Sequence, residues 1–122
     1  MEQEFSLQPY LNDIDILNQT ADQIKKDFSF FDIDIHFKES NNKDAYSQLC
    51  EQILPCIKQL IKTDYQKLIA LLYRVDITEI QIKKETLGNN EKPFEEIITQ
   101  LIIKRCLQKV VLRKFFSKNE RH

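Results

Sequence analysis

The sequence predicts a mainly α protein: about five helices in a small bundle. It leaves room for one β element, a short strand at 31–37 or a two-stranded ribbon of 31–37 with 4–8. Three observations carry this. There are one Gly and three Pro in 122 residues, too few for the tight turns of a sandwich or barrel. Apolar residues recur at steps of three and four over long stretches. With 42% apolar and 30% charged residues, the chain is too apolar for disorder, and its length suits a single domain over 1–122.

The first helix is predicted over 13–29. Ile14, Leu17, Ala21, Ile24, Phe28 and Phe31 form one stripe, and Asn12 or Asp13 can cap its start. The period then becomes two. Phe31, Ile33, Ile35 and Phe37 alternate with Asp32, Asp34, His36 and Lys38, as in a half-buried strand. A lone strand is unstable, so it needs 4–8, a second molecule, or a plainer role as an extended segment lying across the helices. A second helix is expected over 44–62, with Pro55 in its polar arc kinking it. Thr63-Asp64 starts a third helix, over 64–74. Asp76-Ile77-Thr78-Glu79 has the form of a capping box, with Val75 and Ile80 placed as a staple, for a fourth helix ending at Leu87. Pro93 opens a fifth, running to about Phe116. Residues 1–8 and 117–122 read as flexible ends.

The net charge of −1 conceals an asymmetry: residues 1–44 carry −6, 45–97 carry −1 and 98–122 carry +6. An acidic front and a basic end can attract each other within one molecule or between two. The acidic first residues do not look like a secretory signal. The longest apolar run, Leu68 to Tyr73, is too short to span a membrane. Three cysteines without paired spacing suit free thiols in a reducing compartment. The expectation is a cytoplasmic protein that does not engage a membrane.

A single Gly excludes glycine-rich phosphate loops, and two His leave little for a His-dependent nucleophile. No catalytic residue and no cofactor are expected. No metal is expected either; the strongest candidate set is Asp32, Asp34 and His36, about 6.6 Å apart in turn along one strand face. Its plainer reading is a wet surface. The basic segment 104–121, with Lys104, Arg105, Lys109, Arg113 and Lys114, is the candidate for an anionic polymer such as nucleic acid. Lysine outnumbers arginine and aromatics do not interleave before Phe115, so a solvated helix end complementing its own dipole is preferred.

The fifth helix is apolar on two sides. Phe94, Ile97, Ile98, Leu101 and Ile102 share one arc, while Ile103, Cys106, Leu107, Val110 and Val111 lie opposite. Such a helix is buried between layers, or it packs on its own domain with one side and on a partner with the other. The expectation adopted is the second. Ile103, Leu107, Val110 and Val111 form an interface with another copy or another protein, making the chain a non-enzymatic, self-associating interaction module.

The run from Asp64 to Ile77, followed by Ile97 to Phe116, resembles short uncharacterised helical bacterial proteins over about half the chain. The resemblance implies a bacterial, cytoplasmic, helical protein and carries no activity.

Overall fold

The computed structural model describes residues 7–37, 44–89 and 91–120, the last four without their side chains. A 3-10 turn at Gln8–Tyr10 leads into five helices: α1 (Ile14–Ser29), α2 (Ala45–Thr63), α3 (Tyr65–Val75), α4 (Glu79–Gly88) and α5 (Phe94–Glu120). The mainly α bundle expected from the turn-poor composition is what the chain forms.

The first three helices start where an aspartate side chain takes a free backbone donor. Asp13, Asp44 and Asp64 accept from the amides of Ile16, Ser47 and Lys67, at 3.1, 2.8 and 3.1 Å. Pro55 sits exposed inside α2, which stays helical from Ala45 to Thr63.

The longest helix, α5, is the axis of the bundle and packs against all four others. Ile98 and Ile102 on one side and Ile103, Cys106, Leu107 and Val110 on the other are all buried. The remaining core comes from Ile16, Leu17, Ile24 and Phe28 of α1, Leu49, Ile53, Ile57 and Leu60 of α2, and Leu68, Leu71, Leu72 and Val75 of α3. Buried Thr20 and Thr99 satisfy their hydroxyls on the carbonyls four residues back, each at 2.8 Å.

Three expectations are corrected. Residues 31–37 are not a strand. Phe31 and Asp32 turn out of α1, and 33–37 cross the helices as an extended segment with Ile35 buried, Ile33 and Phe37 half-buried, and no ladder beside them among the described residues. The alternation is genuine, but helices supply the apolar surface. Of the proposed ribbon partner 4–8, residues 4–6 lie outside the described residues, and Leu7 and Gln8 belong to the 3-10 turn. The fifth helix does not end near Phe116, since its helical backbone continues to Glu120. The third correction concerns the cap of α4. Asp76 takes a left-handed conformation (φ 67°) that closes α3, and the capping box belongs to Thr78 and Gln81.

Candidate functional site

The corner between α3 and α4 is built by two linked caps. The Ile77 amide donates to the Leu72 carbonyl at 2.9 Å and the Asp76 amide to Tyr73 at 3.1 Å, a Schellman closure with Asp76 in the position glycine usually fills. Two residues on, the Gln81 amide donates to the Thr78 hydroxyl at 3.1 Å, and the Thr78 amide donates to the Gln81 side chain at 2.9 Å. Ile77 and Ile82 occupy the staple positions around this box, and both pack on the core. The chain turns a corner here, and an open groove of about 750 Å³ lies between the two helices.

Buried Leu72 and Ile77 and half-buried Ile82 form its apolar floor. Ile69 and Tyr73 of α3 and Ile80 of α4 rise beside it, with Tyr73 84% and Ile80 75% exposed. The charged residues in its lining are Asp76 and Glu79, both carboxylates. Tyr65 continues the exposed α3 stripe, and Leu87, seven residues after Ile80 on the same side of α4, is 78% exposed. Lone exposed apolar residues are ordinary, whereas these converge around one groove.

The sequence offered only a partial signal for this surface. Periodicity puts Ile69 in one apolar arc with Leu68, Leu71 and Leu72, but Ile69 lies exposed with Tyr65 and Tyr73, which recur with it every four residues. Ile80 was expected in a staple with Val75, but it points to solvent.

The expected interface is corrected. Ile103 and Leu107 are fully buried, and Val110 and Val111 are 1% and 5% exposed, all inside this chain's own core. The second apolar side of α5 is covered by the other helices, so it offers nothing to a second copy.

Of the weak metal set, Asp34 and His36 lie 3.2 Å apart and are both exposed. Asp32 stands in a left-handed turn (φ 62°). Among the described residues no three His, Cys, Asp or Glu side chains are grouped to hold a metal ion.

Three of the described bases of this segment, Arg105, Arg113 and Lys114, are engaged by their own chain. Arg105 donates to the Val75 carbonyl at 3.3 Å and to Gln108 at 2.6 Å, and approaches Asp76 at 3.5 Å. Arg113 donates to Gln23 at 3.1 Å and Lys114 to Asp15 at 3.0 Å. The acidic front and the basic end thus meet within one molecule. Lys104 is exposed and Lys109 half-buried on the same helix.

The shifted titratable groups have structural causes. Burial pushes the Cys106 thiol up to about 12, and the neighbouring Asp27 carboxylate adds to it. Burial likewise raises Cys50 and Cys56. It also raises the Tyr46 phenol, whose buried hydroxyl has no hydrogen-bond partner of good geometry. Asp44 is lowered by the backbone and side-chain hydrogen bonds of Ser47, as a helix cap should be. None of these groups is an activated nucleophile. No family model, curated protein or solved structure matches the chain.

Proposed function

We propose that this chain is a non-enzymatic protein-interaction module whose docking surface is the groove between α3 and α4. The observation that carries the reading is the convergence of exposed Ile69, Tyr73 and Ile80 around an apolar floor, in a domain whose other large apolar side chains are mostly buried. A groove between two helices suits a helix end or amphipathic helix that inserts two or three apolar side chains. Its carboxylate lining favours an occupant that also carries a base.

The described thiols are free, and none of the described helices is long and apolar enough to cross a membrane. Both fit the proposed cytoplasmic setting. Arg105 is held in part-buried contacts with the Val75 carbonyl and Gln108, which takes one base out of the segment that would meet an anionic polymer.

A photo-crosslinking residue at Tyr73, compared in cells with one at exposed Lys58 on α2, tests the surface. The reading expects a protein adduct at position 73 that is absent at 58 and lost when Ile80→Ser is added. Equal labelling at both positions, or none at 73, overturns it.

A further inference from the structure

We propose that the occupant of this groove is the end of α5 from a second copy of the chain, inserting Phe115 and Phe116 with Arg113 and Lys114 beside them. The inference rests on the docking reading above and names its partner. Phe115 and Phe116 are 57% and 56% exposed and meet edge to face, ring centroids 6.2 Å apart. They form a second bare apolar surface on the same molecule. Arg113 and Lys114 stand beside the two rings, whereas the charged residues lining the groove are Glu79 and Asp76, the latter approached by Arg105 at 3.5 Å. Apolar end and apolar groove, with opposite charges around them, are complementary in both respects.

The two surfaces cannot meet within one molecule. Arg105 lies at the edge of the groove, 3.5 Å from Asp76. Phe116 is eleven residues further along the same continuous helix, about 16 Å away along its axis. A helix does not fold back on itself over that distance, so the contact must be made in trans. Arg113 and Lys114 are exposed, and their present partners are surface contacts whose exchange costs little. A groove-to-groove dimer is less well matched. A two-fold would set the carboxylates of Asp76 and Glu79 toward their own copies rather than toward bases.

Joining two different surfaces makes the association head-to-tail, so it extends into chains or closes into a ring. One helix end in one groove falls below about 1,200 Å² of buried surface, the class of weak and reversible contacts.

Sedimentation of the full chain at rising concentration, up to about 1 mM, provides the test. Wild type should rise above the monomer mass of 14.6 kDa, stopping at a dimer where two copies engage reciprocally and growing past it where the contacts propagate. Tyr73→Ser with Ile80→Ser should remain monomeric, and so should Phe115→Ser with Phe116→Ser. An equimolar mixture of the two variants restores one intact groove facing one intact helix end, so it should form a one-to-one pair and stop there. All four positions are exposed, and unchanged helical circular dichroism confirms folding. A wild type that stays monomeric overturns the proposal, as does a mixture that stays monomeric. Loss of association in the groove variant alone would instead show groove-to-groove pairing. The docking reading fails separately. A crosslink from position 73 to a different protein, with a monomeric wild type, retains docking and rejects the second copy as partner.

Discussion

Arg74 donates from Nε to Oδ1 of Asp27 at 3.0 Å, joining α3 to α1 across 47 residues of chain, and its guanidinium lies 4.2 Å from the centroid of the Phe30 ring. The two partners differ in exposure. The Asp27 side chain is 3% exposed and that of Arg74 30%. Gln23 and the Cys106 thiol supply further hydrogen bonds to the same carboxylate, at 3.1 and 3.8 Å.

That asymmetry predicts unequal costs. Arg74→Ala leaves a buried carboxylate with only neutral partners and should cost about 3 kcal/mol. Asp27→Ala leaves an arginine that can turn to water and should cost nearer 1–2 kcal/mol. Urea midpoints at unchanged slope report both. The reverse order would mean that burial of the carboxylate does not dominate this pair.

Leu107→Glu should abolish the cooperative melt, because Leu107 has no exposed surface and a carboxylate there has no partner. Leu107→Ala should cost about 2–5 kcal/mol. A folded Leu107→Glu variant of reduced mass in light scattering would return the far side of α5 to the status of an interface.

At the α3–α4 corner, Thr78→Ala should cost about 1 kcal/mol by removing the cap of α4. Asp76→Gly should be neutral or stabilising, by up to about 1 kcal/mol, since glycine adopts the left-handed conformation without strain. The exposed contact with Arg105 that it gives up is worth little. If Asp76→Gly instead destabilises as much as Thr78→Ala, Asp76 is doing more than closing α3.

Alkaline pH should weaken the fold through Cys106. In the unfolded chain this thiol ionises from about 9, but in the folded protein only near 12. Its contribution is therefore complete below pH 9 and is lost as pH rises from 9 to 12, with a limiting slope of about 1.4 kcal/mol per pH unit. Cys106→Val should flatten that fall in melts taken across this window. A thiol reagent at pH 8 should reach the half-buried Cys50 and Cys56 well before Cys106, which should react only on unfolding. Equal rates at all three would show that Cys106 is not sealed.

Helix positions and most starts could be read from the sequence because their causes are local. Asp13, Asp44 and Asp64 each bond an amide three residues ahead, and stripes at three and four residues follow from helix geometry alone. The α4 cap was misread because Asp76-x-x-Glu79 and Thr78-x-x-Gln81 are both acceptable boxes in sequence. Only the Schellman closure, which turns Asp76 left-handed, selects the second.

By itself, then, the sequence determined the helices, their order, and the fact that α5 has two apolar sides. Tertiary structure decided which apolar surfaces are covered. Ile103 and Leu107 are buried, while Tyr73, Ile80 and Leu87 are bare, yet all five are large apolar side chains on helices. Periodicity records which side of a helix a residue occupies. Burial depends on what α1, α2 and α3 place against that side, and those contacts join residues far apart in the chain.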